Sequence, residues 1–550
     1  MGLLRGIRAR APKRGPGVGG ASATGPVVRN AARFMAGDIV DRLLGLAFLA
    51  AALRLYGVAD YGTYVVGLTV FQVVRTVVGF GLGRSIMKET AAGTAIGDPG
   101  RIKGAIALGL ALSVTFASLA AVVLVFGASR IAAGVFPAQT GVSSTLAIFG
   151  ALTPLYAVNF VLLQSFYGLE RIRDMVLANS VIEPVARLVV LVAFFVAGTS
   201  GPVALPGAYF AALVASTFFA SAVFVTRVWP ELAIVRARCD LRETLAFAFP
   251  VMLTDLFSRG LRSFNTFLFA VFRTAPEVGL FDIALKLAGV VFFFSSALVT
   301  AFRPRIAALL AEGRLADLSR ETQAYTRWIL SFAILPFGLL ILFPEAILGV
   351  VGPEYLAAAS GVRILSCGLL VAQSAGPLAA LLLMSGRSKQ VLYAVAGAAG
   401  TYTAASCYAI PAYGIDGAAT AATGTILVAV PILSVYVQRT VGIRTRGRSI
   451  WKPIAAALVA FPAAVVVSMV LPYGGMLSLA AVAATAATLY LTILVALGIE
   501  PHDRALLSSF ARVLQRKLRL PEARRGNGRE GHRRSAKDQN RERSERPAVQ

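Results

Sequence analysis

Four acid–base pairs fall at i,i+4 spacing inside apolar stretches of this 550-residue sequence: Asp38 with Arg42, Glu183 with Arg187, Asp255 with Arg259, and Asp282 with Lys286. That spacing places both members of a pair on one helix face. Three further bases, Arg75, Arg262 and Arg363, and one further acid, Asp41, lie in similar surroundings. A charge at the centre of an apolar span costs about 2.5–3.5 kcal/mol on insertion scales, so such side chains face protein or a water-filled cavity. Taken alone, each pair neutralises itself and makes its helix insertable, which suffices for Glu183 and Arg187 beside the irregularity of Pro184. Arg363 reads as an interfacial side chain whose charged head reaches water. Arg75 differs, having no acid within a helical turn. Arg259 and Arg262 share only Asp255, so a net positive charge remains there. Asp38, Asp255 and Asp282 are placed either as permanent counter-ions or as groups that bind H+ or Na+ when an arginine partner is drawn away.

Other chemistries are poorly supplied. The two histidines, His502 and His532, lie in a polar C-terminal stretch, which leaves no haem or His-ligated metal among the apolar segments. Cys239, Cys367 and Cys407 have no CxxC spacing and give no disulfide framework. No GxxxxGK[ST] occurs, so ATP hydrolysis by a P-loop is not expected, and no cofactor is implied.

The elements that must hold these charges are membrane helices. The sequence is 57% hydrophobic and 15% charged, with a mean hydropathy of +0.73, against about 45–50% apolar and about 25% charged in soluble domains. Apolar runs of membrane-spanning length recur throughout. Taking about 20 residues per crossing, fourteen transmembrane helices fit between residues 34 and 498, an all-α polytopic membrane protein. The first apolar stretch is long for a signal-peptide core and reads as a retained span.

The formal charge of +26 comes from 53 Lys and Arg against 27 Asp and Glu, and it is segregated. Alternate loops carry Arg84, Lys88, Arg101 and Lys103, then Arg171 and Arg173, then Arg227, Arg236, Arg238 and Arg242, and so on to Lys452. The opposite loops hold three bases, Arg54, Arg130 and Arg273. The positive-inside rule then puts both termini in the cytoplasm. The basic residues beside the spans suit anionic lipid headgroups better than nucleic acid, at about 1 kcal/mol each. All the opposite-side loops are short, with no room for a folded external domain.

An internal similarity divides the chain. Asp38-Ile-Val-Asp-Arg42 and Asp255-Leu-Phe-Ser-Arg259 are followed, at equal distance, by Asp60-Tyr61-Gly62 and Glu277-Val278-Gly279, an offset of 217 residues throughout. Six spans separate the copies, so the repeats run parallel, about an axis along the membrane normal. The expected organisation is a basic N-terminal extension (1–33), an N-lobe of six spans (34–226), a C-lobe of six spans (246–437) and two additional helices (453–498). A basic, disordered cytoplasmic tail (499–550) completes the chain.

The motifs around these charges resemble the polysaccharide (O-antigen type) flippases of the multidrug/oligosaccharidyl-lipid/polysaccharide exporter superfamily. The likeness begins at Tyr61-Gly62 and Gly79-Phe-Gly81-Leu-Gly83, and is strongest from Phe249-Pro250 through Glu277-Val278-Gly279-Leu280-Phe281 and Lys286 to Arg303-Pro304-Arg305. It continues at Gly352-Pro353-Glu354-Tyr355, at Leu383-Met384-Ser385-Gly386-Arg387 and at Tyr413-Gly414-Ile415-Asp416-Gly417-Ala418-Ala419. The resemblance implies a transporter rather than an enzyme, moving a polyprenyl-pyrophosphate-linked oligosaccharide from the cytoplasmic to the outer leaflet of a bacterial inner membrane by alternating access, for cell-surface polysaccharide biosynthesis. Its implied partners are this lipid-linked substrate, membrane lipids and polysaccharide polymerase or export machinery. A pyrophosphate carries about two negative charges and many acceptor oxygens, which arginine meets with paired N–H donors. Arg42, Arg75, Arg259, Arg262 and Lys286 are therefore the expected cationic cavity. The rivals are a peptidoglycan-precursor flippase, a multidrug cation antiporter of the same superfamily, and a membrane glycosyltransferase or ligase. The antiporter would favour an acidic, aromatic cavity, and the enzyme would need catalytic acids on an external loop.

Overall fold

A backbone in lipid must satisfy its hydrogen bonds within its own segment, so long apolar runs become helices. The computed structural model describes residues 24–139, 141–292, 298, 302, 306, 309–385, 387–443, 451–470 and 476–497, with side chains for all of these except 24–32, 35, 250, 253–263, 388–389, 470 and 476–477. Among the described residues every regular element is helical. Ten helices are long and apolar enough to cross a membrane, which makes the chain a multi-pass membrane protein.

The first half comprises α1 (Thr24–Gly79), the short amphipathic α2 (Leu82–Ile96), α3 (Pro99–Val135), α4 (Val142–Gly168), α5 (Ile172–Val196) and α6 (Gly201–Arg227). The second comprises α7 (Leu241–Phe272), α8 (Ala275–Ala288), α9 (Leu315–Leu342), α10 (Pro353–Met384) and α11 (Ser388–Val441). Two more, α12 (Trp451–Val470) and α13 (Met476–Ala496), pack together and against α9. There, Gly338 leaves the space that the Phe461 ring fills. The Tyr490 hydroxyl donates to the Ser331 carbonyl at 3.0 Å.

Two helices are double. A straight α1 of 56 residues would run about 84 Å, nearly three hydrocarbon thicknesses of about 30 Å. Gly57, at φ 77° and ψ 176°, breaks it, in a region of backbone space open essentially to glycine alone. The chain folds back there: Phe48 and Tyr64 bring their rings within 6.0 Å although sixteen residues separate them. In α11 the break is Gly414, at φ 57° and ψ −128°. The Arg273 guanidinium caps it, donating to the carbonyls of Ile410 at 2.8 Å and Pro411 at 2.9 Å. Each break divides one long helix into two limbs. Beyond Phe292, the apolar stretch that follows α8 lies mostly outside the described residues.

The largest buried cluster is shared by both halves, with Phe71 stacked on Phe149 at 5.4 Å and Phe269 on Phe281 at 4.5 Å. Phe126, Val196 and Phe218 project outward from the bundle, as lipid-facing side chains do. Gly62 and Gly279, which the 217-residue offset aligns, meet at the junction: a Cβ on Gly279 would lie 3.3 Å from the Gly62 Cα. Equivalent residues touch in this way beside a pseudo-two-fold axis.

Candidate functional site

A cavity of about 660 Å³ opens within the first half, between the second limb of α1 and helices α4, α5 and α6. Helical spacing explains its lining. Gln72, Arg75, Thr76 and Gly79 follow i, i+3, i+4, i+7 on α1, and Tyr156, Asn159, Phe160 and Leu163 do the same on α4. Tyr209 and Leu213 on α6 are one turn apart. On α5 the regular period fails, because Leu177–Ile182 form a π-turn just before Glu183 and Pro184. Such wide turns cluster at functional sites, and proline tolerates the following position because it needs no N–H partner there. Asn179 and Glu183, four residues apart, both line the cavity wall.

Charges in this half are interlocked. The Arg75 guanidinium lies 5.9 Å above the Tyr156 ring and interacts with the Tyr209 hydroxyl and Glu183. Arg187 lies 5.1 Å from the Phe48 ring and 5.4 Å from the Tyr209 ring, within reach of Tyr64. Its buried Nε has no hydrogen-bond partner. Glu183 has Arg187, Asp41 and Arg75 as charged neighbours, so beyond its i,i+4 partner it faces a second arginine and a carboxyl of like charge.

The halves touch at both ends. At the end carrying Arg54, Arg130 and Arg273, the Tyr61 hydroxyl donates to Asp282 Oδ2 at 2.5 Å and accepts from Lys286. Lys286 also pairs with Asp282 at 2.7 Å. Around this triad the Gln139 amide donates to the carbonyls of Ala270 at 2.7 Å and Arg273 at 3.1 Å. The Tyr355 hydroxyl reaches the Leu53 carbonyl at 2.8 Å, and Arg54 the Val350 carbonyl at 2.7 Å. At the opposite, basic end Gly81 (φ 67°) takes a conformation that suits glycine and leaves no room for a Cβ, which would lie 2.2 Å from the Ala248 carbonyl oxygen. The Phe80 and Phe249 rings approach to 6.2 Å. Lys88 pairs with Glu89 at 3.4 Å on its own side and with Glu243 at 3.7 Å across the junction. Arg101 pairs with Glu89 at 2.6 Å, and its hydrogen bond holds the Glu89 carboxyl below the usual glutamate range.

The residues expected from sequence therefore occupy different places. Arg75 faces the cavity, and Lys286 with Asp282 forms the Tyr61 triad. Arg42 pairs with Asp38 at 2.9 Å, both partly exposed. The backbone of α7 is helical through Asp255, Arg259 and Arg262, whose side chains lie outside those described. Arg363 reaches Glu345 at 2.6 Å, at a helix end. Arg75 and Lys286 are linked rather than adjacent, through a polar series of Tyr61, Tyr64 (ring centroids 6.1 Å apart), Arg187 and Glu183. Sequence reasoning passed over Tyr61 as a bridging hydroxyl and over Asn179 and Gln164 as cavity residues. The four-residue recurrence of amides and aromatics along α4 was the signal for the last.

Two bundles of membrane-length helices, joined at both ends by polar contacts, thus hold a polar cavity. Over residues 27–310, just over half of its length, the chain matches the family described as "Polysaccharide biosynthesis protein", and it belongs to that family. Its fold is similar to an inward-facing multidrug resistance MATE family transporter of the MOP superfamily, at 16% identity and a TM-score of 0.63, covering 72% of this chain and 93% of that one. It is also similar to lipid II flippase MurJ in an inward closed conformation, at 12% identity and a TM-score of 0.66, covering 84% of this chain and 97% of that one. A third likeness is to the MATE transporter DinF-BH in complex with R6G, at 14% identity and a TM-score of 0.57, covering 78% and 98%. At these identities the likeness is one of fold. Comparison with curated proteins finds no match.

Proposed function

We propose that this chain is a flippase that moves a polyprenyl-pyrophosphate-linked oligosaccharide from the cytoplasmic to the outer leaflet by alternating access, for surface polysaccharide assembly. The observation that carries this reading is the cavity that opens inside one half of the bundle, with Arg75 on its wall and Arg84 at its rim. Membership in a polysaccharide biosynthesis family supports the same substrate class. The basic end is cytoplasmic by its loop charges. Parting of the Lys88–Glu243 contact and of the Gly81–Ala248 approach admits the headgroup, while the polyprenyl tail stays in the bilayer. Guanidinium groups offset the desolvation of the pyrophosphate. Parting of the Tyr61–Asp282–Lys286 triad then exposes the headgroup to the other side.

Mass spectrometry of lipid extracts from a deletion strain tests this reading. Polyprenyl-diphosphate oligosaccharide should accumulate and be cleared by the wild-type gene, with Arg75→Gln clearing it at least tenfold more slowly. Absence of accumulation, together with heightened sensitivity to cationic drugs, would replace the flippase with an antiporter.

A further inference from the structure

A pure anion site needs only donors, yet the cavity in the first half offers something different. Gln72, Gln164 and Asn179 line it with side-chain amides, and Glu183 adds a carboxylate. An amide both donates and accepts, and a carboxylate accepts twice, which is the complement of hydroxyl groups. Tyr156 and Phe160, one turn apart on α4, lie nearly parallel at 24° with centroids 5.9 Å apart, and both line the cavity. Together they present an aromatic panel of the kind that packs against the apolar face of a ring. The charge is graded along the cavity. Gln72 and Gly79 are seven residues apart on α1, about 10 Å, and Glu183 lies on the inner side of Asn179 in the chain direction of α5. Glu183 puts a carboxylate at the inner end with Arg75 and Arg187 as charged neighbours, whereas Arg84 and Gly83 line the basic end, where Gln164 packs against Gly83. The volume of about 660 Å³ lies within the about 300–1,000 Å³ typical of small-molecule sites.

We infer that this cavity is the glycan subsite of the transporter: sugar hydroxyls bond to Gln72, Asn179 and Glu183, a sugar face packs on Tyr156 and Phe160, and the pyrophosphate remains toward the rim. The inference rests on the flippase reading and adds to it a division of the headgroup between two parts of one cavity. Glycan length then sets how much of the site is used. Variants in the amide wall impair long headgroups more than short ones, whereas loss of a phosphate contact impairs both alike.

The test uses the purified full-length chain in proteoliposomes with two fluorescent probes, a polyprenyl-diphosphate trisaccharide and the corresponding monosaccharide. Translocation is compared for wild type, Gln72→Leu and Asn179→Leu, each first checked by size-exclusion profile and melting. The expected result is a roughly tenfold loss on the trisaccharide lipid, the scale of one or two lost hydrogen bonds, with less than a twofold change on the monosaccharide lipid in at least one well-folded variant. Equal loss on both probes, or none on either, overturns the subsite while leaving a flippase that moves both lipids. Wild type that moves neither lipid removes the flippase reading and the subsite with it.

Discussion

Tyr61 shows how much a single hydroxyl carries in a buried junction. It is fully buried on α1 and holds an acid and a base that belong to α8. A hydrogen bond to a charged group contributes about 1.5–3 kcal/mol. Tyr61→Phe keeps the ring and deletes that contribution, so the thermal midpoint in detergent should fall and the two halves should separate more readily at that end. An unchanged midpoint would mean that the Asp282–Lys286 pair is self-sufficient. Glu89, at the basic end, is held below its ordinary value of 4.5 chiefly by the Arg101 hydrogen bond. A depressed carboxylate contributes stability that is present above its unfolded pKa and is lost as pH falls through the folded one. Arg101→Gln should thus destabilise the chain at neutral pH. Its deficit relative to wild type should close as pH drops below 4.5, a comparison that melting curves across pH make directly. A gap that widens at low pH would refute the assignment.

Breaks in helices govern the next scale. A Cβ at Gly57 would meet nothing within 4 Å, so any effect of Gly57→Ala is purely one of backbone conformation. Its φ of 77° and ψ of 176° should make that substitution cost about 1–3 kcal/mol, read as a lower melting temperature with packing otherwise intact. The tandem spans within α1 and α11 were legible in the sequence, because each apolar run is too long for one crossing. The cavity wall on α5 was not. Asn179 and Glu183 share a face at i,i+4 spacing, yet which helices that face meets is set by α1, α4 and α6, which no pattern local to α5 records. Glu183 and Arg187 read as a closed pair, whereas Glu183 also has Arg75 as a charged neighbour. Contacts across 100 or more residues, such as Tyr61 with Asp282, leave no local pattern to find.

For the molecule as a whole, the 217-residue offset in the sequence aligns Gly62 with Gly279, and these two glycines meet where the two groups of helices touch. Of the cationic residues that the sequence grouped into one cavity, Arg75 lines the cavity wall and Lys286 lies in the contact between the halves at the far end, while Arg42 pairs with Asp38. The most direct test is translocation of a labelled polyprenyl-diphosphate oligosaccharide in proteoliposomes containing the full-length chain and no ATP. The lipid should cross, and Arg75→Gln should slow it by about tenfold, the loss of a charge-assisted contact. A lipid that stays in its original leaflet while a cationic dye is transported would contradict the account.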